Sequence, residues 1–102
     1  MWKRSQAAGG GGGDVIVFNE FDKAAGNYTI DIPISGTLNL MTNNYYSFGN
    51  LKVNGTTITR TKQVQTSYSN CRYWETPVQV GDTVVFECTY PLTCGMGYIT
   101  NS

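Results

Sequence analysis

The chain has no histidine among its 102 residues. That removes the commonest general base and the usual Ser-His-Asp arrangement. With only three cysteines, no zinc site is expected, and neither is any other metal or cofactor. Charge is scarce: 14% of residues are Asp, Glu, Lys or Arg, against about 25% in an average domain. Seven basic and seven acidic residues give a formal net charge of zero, so no basic field is available to hold nucleic acid. No apolar run approaches the ~20 residues of a membrane-spanning helix. Lys3 and Arg4 are followed by glycines where a signal peptide would carry its apolar stretch, so assembly in a cytoplasm is expected. An odd cysteine count is a poor disulfide framework. Cys71, Cys88 and Cys94 are expected as reduced, buried thiols acting as small apolar groups. The alternative is a bridge closing the small loop between Cys88 and Cys94.

What the chain does have is a sharp break near its start. Gly9, Gly10, Gly11, Gly12 and Gly13 form an unbroken run, and five glycines cannot sustain a free helix or strand. Before them stand Trp2, Lys3 and Arg4 and no acidic residue. Residues 1–13 therefore form an extended, glycine-rich, locally positive arm with one large anchor. The plainer alternative is a flexible linker or a cloning scar. Residues 14–102 form one small domain.

The body is patterned as strands. Val15 to Phe18 is a short apolar run, and Asn19 to Asn27 reads as a polar loop. Tyr28, Ile30, Ile32 and Ile34 alternate with Thr29, Asp31 and Pro33, the period of a half-buried strand. Pro33 donates no hydrogen bond, which puts that point at an edge or a strand end. Leu38 and Leu40 face inward on the next strand, and Thr42-Asn43-Asn44 reads as a turn. Tyr45 to Phe48 is a further strand or an aromatic loop. Asn54-Gly55 suits a type I′ hairpin, with Val53 opposite Thr56 and Leu51 opposite Ile58. Val64, Thr66 and Tyr68 alternate weakly, and Ser69-Asn70 reads as a turn. Pro77 to Val80 and Thr83 to Tyr90 read as a strand pair broken at Gly81-Asp82, with Val84, Phe86, Cys88 and Tyr90 inward. Pro91 ends that strand, and Gly95 to Thr100 returns as the last one. About seven or eight short strands without a helical stripe point to an all-β fold, a small antiparallel β-sandwich, Ig-like or jelly-roll-like.

Seven tyrosines and two tryptophans are many for a chain this small. Tyr45, Tyr46, Tyr73 and Trp74 are candidate ligand or interface aromatics. Rings on a sandwich surface can stack on sugars; the competing reading is core or interface. Carboxylates that could pair for catalysis are Asp31, Glu75, Asp82 and Glu87, each better explained as a solvent-facing strand or turn residue. An enzyme is not expected.

The order of an isoleucine-rich strand, an Asn-Gly hairpin and Pro77-Val78-Gln79-Val80-Gly81-Asp82-Thr83-Val84-Val85-Phe86 resembles small β-sandwich modules of viral and bacterial surface proteins. Tailed-phage decoration proteins and tail appendages are among them. The resemblance spans about residues 28–100 and its motifs are generic. It implies a structural virion protein, decorating or cementing a capsid, with capsid or tail proteins as partners and a homo-oligomer, such as a trimer. In that setting Trp2, Lys3, Arg4 and Gly9 to Gly13 would dock the arm on neighbouring subunits, with no nucleic acid and no membrane. The alternative is a carbohydrate-binding or adhesin module.

Overall fold

The computed structural model describes residues 14–44, 49–65 and 70–100. Among these residues run nine strands: β1 (Val15–Lys23), β2 (Gly26–Ile30), β3 (Gly36–Asn44), β4 (Gly49–Val53), β5 (Thr56–Thr57), β6 (Lys62–Gln65), β7 (Asn70–Val78), β8 (Val84–Cys88) and β9 (Leu92–Thr100). No helix occurs among the described residues. The strands form a five-stranded sheet in the order β1-β9-β3-β7-β6 and a four-stranded sheet in the order β2-β8-β4-β5. Every pairing is antiparallel.

The pairings have a simple logic. β4 pairs β5, β3 pairs β7, β2 pairs β8 and β1 pairs β9. The chain is thus one long nested hairpin. Wrapping that hairpin adds β3 to β9 and β4 to β8, giving a jelly-roll sandwich, and β6 is an extra strand at one edge. The tip of the whole hairpin is the Asn-Gly turn. Asn54 and Gly55 both have positive φ, 52° and 83°, as a type I′ turn demands. Val53 lies opposite Thr56, and Ile58 N–H donates to Leu51 C=O at 2.8 Å, the pairing expected from the alternation.

A second turn locks this tip. Asn54 Oδ1 accepts from Thr83 N–H at 2.9 Å, and its Nδ2 donates to Asp82 Oδ1 at 3.1 Å. Asp82 Oδ2 in turn accepts Gln79 N–H at 2.8 Å. Asp82 therefore serves the turn. Those two hydrogen bonds, the backbone one first, hold its carboxyl below the ordinary value against the opposing pull of burial.

The core lies between the sheets. Ile30, Leu38, Leu40, Leu51, Val84, Phe86, Leu92 and Ile99 are almost wholly buried. An aromatic chain crosses it: Tyr28 to Phe18 at 6.4 Å, Phe18 to Phe86 at 6.3 Å, and Phe86 edge-on to Trp74 at 5.6 Å. Phe18 fits because β9 offers glycines opposite it. A Cβ at Gly95 would meet its ring at 2.7 Å, and one at Gly97 would press on Phe18 and Leu40 at 3.2 Å.

Several expectations change. Asn19 to Lys23 is not loop but the second half of β1, an edge strand that tolerates polar residues because one side of it faces water. Hydrogen bonding in β2 stops at Ile30, yet Ile32 is buried and Ile34 packs on the core, so the inward alternation outlives the strand. Thr42 to Asn44 continues β3, which is held by ladders from both β7 and β9. Pro77-Val78 and Val84 to Cys88 do not pair: β7 and β8 lie in different sheets, and the chain crosses over at Gly81. Asn70, expected in a turn, instead opens β7, whose stretch from Cys71 to Thr76 lies outside every strand expected from the sequence. β8 ends at Cys88, so Tyr90 is 41% exposed instead of inward. Tyr45 to Phe48 and Thr66 to Ser69 lie outside the described residues.

Candidate docking face

Strand alternation sends residues of opposite parity to opposite faces. On β3, Leu38, Leu40 and Thr42 go to the core, so Asn39, Met41 and Asn43 lie on the outside of the five-stranded sheet. Register then assembles that outer face, because directly paired residues share a side. One row runs Ile16, Tyr98, Asn39, Glu75. The next runs Asn19, Met96, Met41, Tyr73, Lys62. A third runs Phe21, Cys94, Asn43, Cys71. Two methionines, two tyrosines, two cysteines, an isoleucine and a phenylalanine thus stand on a surface that solvated sheets usually give to polar residues. Phe21 is 54% exposed and Met96 only 8%. Ile16, Met41, Tyr73, Tyr98, Cys71 and Cys94 are half-buried.

A shallow groove of about 460 Å³ crosses this face, lined by Asn39, Met41, Lys62, Tyr73, Glu75 and Tyr98 among others. The Lys62 ammonium lies 5.7 Å from the Tyr73 ring centroid, a cation–π distance. Asn39 is tied into the sheet, its Nδ2 donating to Thr37 C=O at 3.1 Å. Beyond Phe21, the surface continues past Ala24, Tyr90 and Pro91, which line a second groove of about 570 Å³.

The opposite outer face is different. On the four-stranded sheet, register places Asn27, Glu87 and Asn50 in one row and Thr29, Val85, Lys52 and Thr57 in another. Lys52 Nζ and Glu87 Oε2 pair at 3.1 Å. That face is polar and internally matched.

The three cysteines are free thiols. Cys88 faces the core from the four-stranded sheet, and its Sγ donates to Tyr90 C=O at 2.6 Å. Cys94 is on the outside of the other sheet, so a bridge between them has no geometry. Cys71 and Cys94 flank Asn43 on its two sides, about 9.6 Å apart at two strand spacings, again beyond bridging. Burial first, then the nearby Cys71 and Asp22, push the Cys94 thiol up; it stays protonated at neutral pH and is a weak nucleophile.

Of the aromatics singled out from the sequence, Tyr73 belongs to the outer face. Trp74 does not: it is 2% exposed and packs on Phe86, with its Nε1 buried and unpartnered. Parity makes it core, because its neighbour across the ladder is Leu40. Tyr45 and Tyr46, and the arm residues Trp2, Lys3, Arg4 and Gly9 to Gly13, lie outside the described residues. Met41 and Met96 escaped sequence reasoning. The signal was there in Met41, an apolar residue on the wrong parity beside Leu38 and Leu40. The carboxylates do not gather: Asp82 serves a turn, Glu87 pairs Lys52 on the polar face, and Glu75 stands on the other. Among the described residues no cluster of potential metal ligands occurs, and no helix is long and apolar enough to cross a membrane.

No family model, no curated protein and no solved structure matches the chain.

Proposed function

We propose that this chain is a non-enzymatic structural protein of a virus particle, a sandwich that decorates or cements a capsid and is carried on its glycine-rich arm. The observation that supports this reading most is the contrast between its outer faces. A sheet surface with two Met and two Tyr across its middle strands, and with Lys62 and Glu75 at its β7–β6 margin, has the composition of a buried interface centre. The jelly roll recurs in capsid and lectin domains alike, so the fold is compatible with the role without choosing it.

The test is co-sedimentation of the full chain with density-gradient-purified particles of the phage that encodes it. The expected result is saturable binding. Removal of residues 1–13 should leave a folded body that no longer docks, and Trp2→Ala should cost about 2–4 kcal/mol of binding if the ring fills a buried pocket. A truncated chain that saturates the particle at wild-type affinity overturns the tether. A second reading, carbohydrate binding, is favoured by the groove, where Tyr73 and Tyr98 stand beside Asn39, Glu75 and Lys62. On a glycan array that reading predicts binding that survives loss of the arm and vanishes with Tyr73→Ala.

A further inference from the structure

We infer that the outer face of the five-stranded sheet is closed by the same face of a second copy of this chain. The inference rests on the docking-face reading above and names the occupant. Three observations favour a second copy over an unrelated partner.

The first is area. Four nine-residue strands about 30 Å long and the four-residue β6, at about 4.8 Å spacing, present roughly 640 Å², at the lower end of the roughly 600–1,000 Å² that each partner of a standard stable interface buries. The contact is sheet on sheet, the same packing that builds the sandwich interior at about 10 Å spacing.

The second is charge. Asn19, Met96, Met41 and Tyr73 occupy the central row without a charged group until Lys62 at its end. Glu75 stands at the same margin, one row away. Both signs are present there, so a two-fold contact need not bring unmatched charge together, and like charges do not meet at the centre. The chain's formal net charge is zero, so no long-range repulsion separates two copies. A partner with a strong field of either sign would find no complement on this face.

The third is where the surface stops. The four-stranded sheet, with its Lys52–Glu87 pair, is finished for water, whereas Phe21 remains 54% exposed at the margin of the other face. A two-fold contact through one face makes the assembly a dimer or a multiple of dimers, in place of a three-fold ring.

Sedimentation velocity on the full chain tests this. The wild type should be dimeric, and Met41→Lys, which sets an ammonium at the centre of the contact, should weaken self-association by about 30-fold or more while keeping its circular dichroism spectrum. Met41→Leu should restore the dimer. Thr29→Lys, the same kind of charge on the polar face, should leave it intact. Should Met41→Lys fail to fold, Tyr73→Lys at the groove margin serves the same purpose. A wild type that stays monomeric up to about 100 μM, or a dimer disrupted by Thr29→Lys and not by Met41→Lys, overturns the inference. A monomeric wild type whose Met41→Lys variant loses particle binding would remove the second copy and leave the docking face. A dimer that binds no particle would support the second copy and remove the virion role.

Discussion

The two outer faces of this sandwich start from the same rule and end differently. Both are the solvent-side parity of antiparallel strands. On the four-stranded sheet that parity carries Asn27, Thr29, Asn50, Lys52 and Glu87; on the five-stranded sheet it carries Met41, Met96, Tyr73, Tyr98 and Cys94. Neither set belongs to the core cluster, which lies between the sheets. The difference is one of composition: the polar sheet pairs Lys52 with Glu87 on its surface, whereas the other sheet presents the Met and Tyr side chains that the proposed contact would cover.

The largest test separates core from face on a single strand. Trp74→Ala should lose about 3–5 kcal/mol, since it empties a large aromatic site. Its neighbour Tyr73→Ala should lose less than about 1 kcal/mol in the monomer, as surface substitutions do. Urea denaturation of dilute protein measures both. Equal losses would put Tyr73 in the core and end the distinction between the faces.

Next comes the tip of the roll, which asks whether the polar sheet stabilises itself without a partner. Asn54→Val should lose about 2–3 kcal/mol, combining an unfavourable positive φ with lost hydrogen bonds to Asp82 and Thr83. Asn54→Gly keeps the backbone geometry and should lose only about 1 kcal/mol. Neither loss should vary with protein concentration, in contrast to changes on the apolar face. If glycine harms as much as valine, backbone geometry is not what Asn54 supplies.

A smaller effect at the same place depends on pH. The folded Asp82 carboxyl sits below its ordinary value. Its contribution is therefore fully present above the unfolded carboxylate pKa, about 3.9, and is lost as pH falls through the lower folded value. The stability gap between wild type and Asp82→Ala should be flat near neutrality and close below about pH 4. A gap that widens in acid would contradict the Asp82–Gln79 bond.

The smallest effect is expected on the polar face. Lys52 and Glu87 are 36% and 32% exposed, and water screens such a pair. Lys52→Ala should change stability by at most about 0.5 kcal/mol, less in high salt. A larger loss would mean that this face, too, is covered by something.

Alternation made much of this structure legible. The inward set Ile30, Ile32, Leu38, Leu40, Val84, Phe86 and Cys88 could be read from period two alone, because a one-residue slip would expose every one of them. The Asn-Gly turn was equally plain, since few residue pairs accept positive φ twice. Strand ends were not. Asn19 to Lys23 and Thr42 to Asn44 are polar and turn-like by composition, yet ladders from neighbours distant in sequence extend β1 and β3 through them. Tyr90 failed for the opposite reason: once β8 ends at Cys88, nothing carries the alternation on.

The candidate face was the least legible part, and the cause is geometric. Met41, Met96, Tyr73 and Tyr98 are spread over fifty-eight positions of the chain, and each is an ordinary strand residue on its own. By itself the sequence determined the local matters: which residues alternate, where the hairpin tip folds, and the absence of histidine chemistry. These depend on side-chain chemistry and on φ preferences within a few residues. The tertiary structure alone decided that β7 and β8 part into different sheets, that Trp74 is core, and that four scattered side chains share one outer face. Those outcomes depend on register between strands far apart in sequence, and register is set by the joint burial of both sheets.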